Sequence, residues 1–97
     1  MEAVVSLPSL DELRDYVFRI LCGHDQLDPT QTPRYEGLVK RRGQPCGLFF
    51  QVSGPRMLKN YALWAGDEDR IFYYDSTGVR FLQTRLSEAP DPLRIAA

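Results

Sequence analysis

Four turn signals in the second half of the chain constrain the fold more than any other feature of the sequence. All are rich in Gly, Pro, Asp or Ser: Arg42-Gly43 and residues 53–56, 66–69 and 75–78. The runs between them alternate apolar and polar side chains, which is typical of strands. Turns this close together leave no room for crossover helices, so neighbouring strands must run antiparallel. The sequence therefore predicts a five-stranded antiparallel meander over residues 34–86.

One amphipathic helix precedes the predicted meander. Ser9 and Glu12 have the spacing of a capping box, and Gly23 is a typical helix stop. The helical spacing is kept by Leu10, Leu13, Val17, Ile20 and Leu21. The predicted fold class is α+β, with this helix packed on one face of the sheet. We expect a single domain over 1–97, divided into an arm (1–8), helix (9–22), loop (23–33), meander (34–86) and tail (87–97).

The turn positions also predict which side chains share a face of the sheet. A two-residue turn and three four-residue loops place Leu48 opposite Tyr61, and Tyr61 opposite Tyr74. We expect the helix to cover the more apolar face, which holds Tyr35, Val39, Cys46, Leu48, Phe50, Val52, Met57, Tyr61, Leu63, Phe72, Tyr74, Val79 and Phe81. The residues that interrupt this face are Arg41, Lys59, Arg70, Gln83 and Arg85.

The opposite face of the predicted sheet keeps an apolar centre without a cover. A helix of about 13 residues is about 20 Å long and covers only one face. Aromatic side chains bury ~150–250 Å² each, so the patch exceeds what a monomer usually exposes. The candidate interaction surface consists of Phe49, Leu58, Ala62, Trp64, Ile71, Tyr73, Arg80 and Leu82, with Arg80 expected to stack on Tyr73.

This surface favours a non-enzymatic protein-interaction module that binds a protein partner or, as a homodimer, its own copy. On this hypothesis Trp64→Ala weakens association and leaves the fold intact. The competing structural explanation is that the arm or the tail folds across the patch, or that the sheet curls into a partial barrel. The functional alternative is a single-stranded nucleic acid or a small ligand bound by the same aromatic residues.

The charge pattern argues against a nucleic acid partner. The net charge is −1, although residues 34–59 hold six bases and one acid. The basic turn around Arg41 and Arg42 and the acidic turn at 67–69 are predicted at the same end of the sheet. A phosphate backbone approaching that end would meet both signs of charge.

No catalytic or metal-binding constellation stands out. Cys22 and Cys46 are too few for a disulfide framework, and we expect both to be buried thiols. His24 is the one histidine, and Asp67-Glu68-Asp69 lacks the ligand spacing of a calcium loop. The sequence therefore predicts no enzymatic activity, no cofactor and no metal ion.

The start of the chain and its apolar runs predict a cytoplasmic location. No run approaches the ~20 apolar residues that span a bilayer. The first nine residues have no basic segment and only a short apolar stretch, unlike a secretory leader. We therefore expect no membrane partner.

Overall fold

A computed structural model describes residues 2–95, without the side chain of Met57. It confirms the α+β class, with one helix on a mostly antiparallel sheet. The elements are β1 (Ala3–Ser6), α1 (Leu10–His24), β2 (Arg34–Arg41), β3 (Gln44–Ser53), β4 (Lys59–Ala65), β5 (Arg70–Tyr74) and β6 (Arg80–Glu88). The strand order is β1-β6-β5-β4-β3-β2, in which β1 and β6 run parallel and the other neighbours antiparallel.

The sheet has six strands, so the prediction of five was one too few. The additional strand, β1, lies in the predicted arm and pairs with β6, where Val5 is opposite Leu86. Its partner is far away in sequence, so no local turn signal indicates the pairing. β6 runs into the predicted tail, which also forms a short 3₁₀ turn at Pro92–Arg94. Met1, Ala96 and Ala97 of the predicted arm and tail lie outside the described residues.

The predicted start of the helix is confirmed, whereas its end is two residues later than predicted. The Ser9 hydroxyl accepts a hydrogen bond from the Glu12 amide at 3.2 Å. Gly23 is inside the helix and does not have a left-handed backbone. That conformation belongs to Gln26, with a φ of 56°, and the Leu27 amide donates to the Cys22 carbonyl at 2.8 Å. This is the pattern of a Schellman motif built on glutamine rather than glycine.

The loop between β3 and β4 differs from the predicted four residues at 53–56. Ser53 pairs with Lys59, and the intervening residues 54–58 contain a 3₁₀ turn with Arg56 at a φ of 60°. As a result Leu48 lies opposite Trp64 and not opposite Tyr61. Since this displacement is an odd number of residues, it exchanges the faces of β4 and β5 relative to β3.

A β-bulge between Val39 and Lys40 exchanges the faces of most of β2 in the same way. The Arg42-Gly43 turn is confirmed, with both residues at positive φ as a type I′ turn requires. On the amino-terminal side of the bulge, Glu36 lies on the helix side of the sheet, where its carboxylate accepts a hydrogen bond from Arg14 at 2.6 Å. Tyr35 is therefore on the face away from the helix.

The core lies between α1 and the nearer face of the sheet. The Phe18 and Phe50 rings meet edge to face, with centroids 5.4 Å apart. Val5, Ala89 and Ile95 pack against the same core from the ends of the chain. The fully buried residues on the sheet are Phe50, Val52, Asn60, Ala62, Trp64, Ile71, Tyr73 and Thr84.

Candidate functional site

The structure contradicts the predicted position of the candidate interaction surface. Ala62, Trp64, Ile71 and Tyr73 are each 0% exposed and belong to the core beneath α1. The physical reason is the longer β3–β4 loop, which turns the β4 and β5 side chains to the opposite face. The competing explanation, in which chain ends cover this area, holds in part because Val5 and Ile95 pack on this core.

The remaining members of the predicted surface are separated from one another. Leu58 is half-buried beside Gly54, and Leu82 is half-buried against the core. Phe49 and Arg80 are on the face of the sheet away from α1. The predicted stack of Arg80 on Tyr73 is wrong, because Tyr73 points into the core.

The face away from α1, which we call the open face, is apolar at its centre. The C-terminal Ala89 and Ile95 pack against the core. Tyr35 is 58% exposed at its margin, and the other members are half-buried against one another. The apolar members of the open face are Tyr35, Val39, Phe49, Tyr61, Leu63, Phe72 and Tyr74.

Four aromatic rings form a continuous row across strands β2 to β5 on the open face. The Tyr35 and Phe49 centroids are 6.1 Å apart, and those of Phe49 and Tyr61 are 5.9 Å apart. Tyr61 and Tyr74 are stacked, with centroids 5.1 Å apart and planes 15° from parallel. The Tyr61 and Tyr74 rings therefore turn their faces to each other, whereas the planes of Tyr35 and Phe49 are inclined at 60°.

Arg80 ends this row and is held by neutral groups. Its guanidinium lies 4.5 Å from the centroid of Phe72 and 5.5 Å from that of Tyr74. It donates to the Tyr74 hydroxyl at 3.1 Å and to the Gln83 side chain at 3.3 Å. Stacking and these hydrogen bonds fix the position of an exposed positive charge.

The charges around the open face are mostly positive. Arg41 is paired with Asp67 at 3.1 Å, and Arg70 with Glu2 at 3.1 Å. Hydrogen bonds from Gln83 and, more weakly, from Arg70 hold the pKa of Glu2 below its usual value. Over residues 2–95, the cations on this face that take part in no ion pair within 4 Å are Lys59, Arg80 and Arg85.

A small pocket of about 140 Å³ opens on this face near the β4–β5 turn. Val39, Leu63 and Phe72 supply apolar walls, and the half-buried Cys46 thiol lies beside them. The Arg41–Asp67 ion pair is at the rim. Pockets for drug-sized ligands and cofactors are ~300–1,000 Å³, so this one fits a single aliphatic side chain.

The residues considered for catalysis are not brought together. Cys22 is fully buried in α1, where burial raises the pKa of its thiol, whereas Cys46 is on the open face. The His24 ring stacks on Phe81 with centroids 3.7 Å apart. Among residues 2–95, no group of three or more His, Cys, Asp or Glu side chains could hold a metal ion.

Over the same part of the chain, no helix combines the length and apolar character needed to cross a bilayer.

Sequence reasoning missed Tyr35, Tyr61, Phe72 and Tyr74 as surface residues. A usable signal was present in the polar residues that share their face. Lys59, Arg70 and Arg85 would each have to be covered by the helix if Tyr61 and Phe72 faced the core, and burying unpaired charges is costly. On the face that the helix covers, the buried polar residues among 2–95 are Asn60 and Thr84.

Comparison of the chain with protein-family models, with curated proteins and with solved structures finds no match.

Proposed function

We propose that this protein is a non-enzymatic interaction module that binds a protein partner through the open face. The observation that supports the proposal is the continuous aromatic row from Tyr35 to Tyr74, which lies on an uncovered sheet face and ends at the fixed guanidinium of Arg80. Tyr and Arg are enriched at the centres of protein interfaces, where a rigid amphipathic ring loses little conformational entropy on binding.

The arrangement of the rings favours a protein over a single-stranded nucleic acid. Bases bind open sheets by stacking on free ring faces. Here the Tyr61 and Tyr74 faces are turned to one another, and Arg80 covers one face of Phe72. Fewer ring faces are therefore free for bases, and the tyrosine hydroxyls suit the side chains and backbone of a protein.

The charges favour a different protein over a second copy of this chain. Two copies packed face to face would bring the unpaired Lys59, Arg80 and Arg85 of each copy into one desolvated interface. Juxtaposed like charges cost several kcal/mol in such an interface. We therefore infer a hetero-complex.

The size of the open face indicates a modest affinity. A six-stranded sheet with strands of about seven residues presents a face of about 24 by 23 Å, on the order of 550 Å². Stable complexes bury about 800 Å² per partner, and transient complexes bury less. We expect a transient complex with a micromolar Kd.

Site-specific photo-cross-linking tests the proposal. A benzophenone amino acid at position 35 should give protein adducts of discrete mass in cells that produce the protein. The same group at position 19, on the exposed outer surface of α1, is the matched control and should give none. The partner identified in this way should then bind the purified chain, and Tyr35→Ala should weaken binding by about tenfold.

Several outcomes would contradict the proposal. Equal adducts from positions 35 and 19 would mean that the open face has no special role. Adducts to nucleic acid alone at position 35 would replace the protein partner with an oligonucleotide. A purified partner that binds the wild type and the Tyr35→Ala variant equally well would locate the interface elsewhere.

A further inference from the structure

The open face has different chemistry at its two ends. The end near the β4–β5 turn has the 140 Å³ pocket and charges of both signs, with Arg41, Asp67 and Glu68 lining the pocket and Arg85 opposite Arg70 on β6. The other end has Lys59 and Arg80, neither in an ion pair with any residue of 2–95. A partner that matches both ends must be apolar at one point and negatively charged at another.

We infer, resting on the proposed function, that the partner is an acidic protein segment that inserts one aliphatic side chain into the pocket beside Cys46. The inserted side chain meets Val39, Leu63 and Phe72, and the carboxylates of the segment meet Lys59 and Arg80. Charge complementarity of this kind fixes the orientation of the segment and raises its association rate.

The spacing between the two features follows from the strand that joins them. Leu63 and Lys59 point to the same side of β4 and are four residues apart, which is about 13 Å in a strand. An extended segment therefore needs its carboxylates about four residues from the aliphatic anchor. Carboxylates next to the anchor would instead meet Asp67 and Glu68, and Arg41, the cation that lines the pocket, is already paired with Asp67.

The two cysteines supply a readout that needs no label on the partner. Cys46 is half-buried and lines the pocket, whereas Cys22 is fully buried in α1. A side chain seated in the pocket should slow alkylation of Cys46 by iodoacetamide. Cys22 in the same molecule reports whether the fold has opened.

Two nine-residue peptides of identical composition, with Gly and Ser at their other positions, test the inference. Both contain one Leu at position three, and the two Glu residues stand at positions seven and nine in one peptide and at two and four in the other. We expect the first, at millimolar concentration, to slow Cys46 alkylation at least threefold and the second to leave it unchanged. A peptide with Lys at positions seven and nine and the oligonucleotide dT12 are the charge and polymer controls.

Substitutions at the end of the open face that holds Lys59 and Arg80, which we call the basic end, test whether this end binds the peptide. Arg80→Gln and Lys59→Gln together should weaken binding of the first peptide about tenfold and reduce its dependence on salt. Arg19→Gln, which removes an exposed charge from α1, should change neither quantity. Both substitutions at the basic end affect exposed side chains, and unchanged Cys22 alkylation will verify the fold.

The outcomes separate this inference from the proposed function. Equal protection of Cys46 by both Glu peptides, or by the Lys peptide, overturns the acidic segment and leaves a protein-binding face. If dT12 alone protects Cys46 from alkylation, both the acidic segment and the proposed protein-binding function are wrong. Absence of protection by any peptide, together with a cross-linked partner at position 35, overturns the anchor pocket and retains the proposed function.

Discussion

Trp64 shows how much the position of one residue changes its expected role. In the predicted register it was the centre of an exposed patch, whereas in the structure it is fully buried opposite Leu48 and Ile71. Truncating a buried Trp removes apolar contacts and leaves a cavity, which costs about 3–5 kcal/mol. We expect Trp64→Ala to lower the free energy of unfolding by this amount, as measured by chemical denaturation followed by far-UV circular dichroism.

Tyr35→Ala is the matched control for that substitution. Tyr35 is 58% exposed, so its truncation should change the stability by less than about 0.5 kcal/mol. If the two variants had the same free energy of unfolding, the observed register of β4 would be contradicted and the register predicted from the sequence would be supported.

Buried polar groups accompany Trp64 in the core. The Tyr73 hydroxyl is enclosed, and burial raises the pKa of this group, with a smaller opposing effect of the nearby Thr84 hydroxyl. Neither hydroxyl has a partner with hydrogen-bond geometry within the core. A buried polar group without a partner costs about 1–3 kcal/mol, so the apolar contacts around Tyr73 and Trp64 must more than offset this cost.

Gly23 in α1 has room for a Cβ atom, whereas Gly47 in β3 has none. A Cβ on Gly23 would meet no atom within 4 Å, and Ala is favoured over Gly inside helices. A Cβ on Gly47 would lie 2.0 Å from the Trp64 carbonyl oxygen, which is part of the neighbouring strand and cannot move away. Gly47 is therefore required for β3 and β4 to pair at their normal distance.

We expect Gly23→Ala to stabilise the protein by about 0.5–1 kcal/mol. Gly47→Ala should destabilise it by about 3 kcal/mol, since the backbone of β4 must move. Thermal unfolding of both variants, compared with the wild type, measures the difference. Equal stability of the two variants would contradict the β3–β4 pairing.

The elements of the fold were largely predictable from the sequence, whereas their faces were not. Helix α1 and strands β2 to β6 follow from the capping residues, the apolar spacing and the turns. Each face of β4 and β5 is nearly as apolar as the other, because Tyr61 and Leu63 alternate with Ala62 and Trp64. Hydropathy therefore could not choose between them, and the choice depended on the length of one loop.

Two irregularities decided the candidate site. The left-handed Arg56 lengthens the β3–β4 loop, and the bulge after Val39 turns most of β2 over. The residue types give little indication of either irregularity, because the left-handed position is Arg56 rather than the nearby Gly54, and the register shift follows Val39. The open face was therefore recognisable only by the charges of Lys59, Arg70 and Arg85, which are rarely covered by a helix.

Over the whole molecule, β1 covers the outer edge of the nine-residue β6, and the sheet then ends in the four-residue β1. Val5 lies opposite Leu86, the Leu7 amide donates to the Glu88 carbonyl at 2.9 Å, and Glu2 is paired with Arg70. Without β1, the backbone of β6 would form an unprotected edge. Exposed edges of this kind template association with other chains.

Replacing residues 2–6 by a Gly/Ser sequence of equal length tests this role. We expect a lower Tm, with about 4–8 °C lost for each kcal/mol of destabilisation, and association that increases with concentration. Differential scanning calorimetry and sedimentation velocity measure the two effects. A variant that stays monomeric with an unchanged Tm would show that β1 adds nothing to the sheet.

This pairing also sets the order in which the protein can mature on the ribosome. The chain is made from the amino end, so the first strand must wait for the last one before its hydrogen bonds can form. During that interval α1 and the early hairpins can pack, while the two outermost segments remain separate. We expect the native sheet to be completed only after synthesis has passed Glu88.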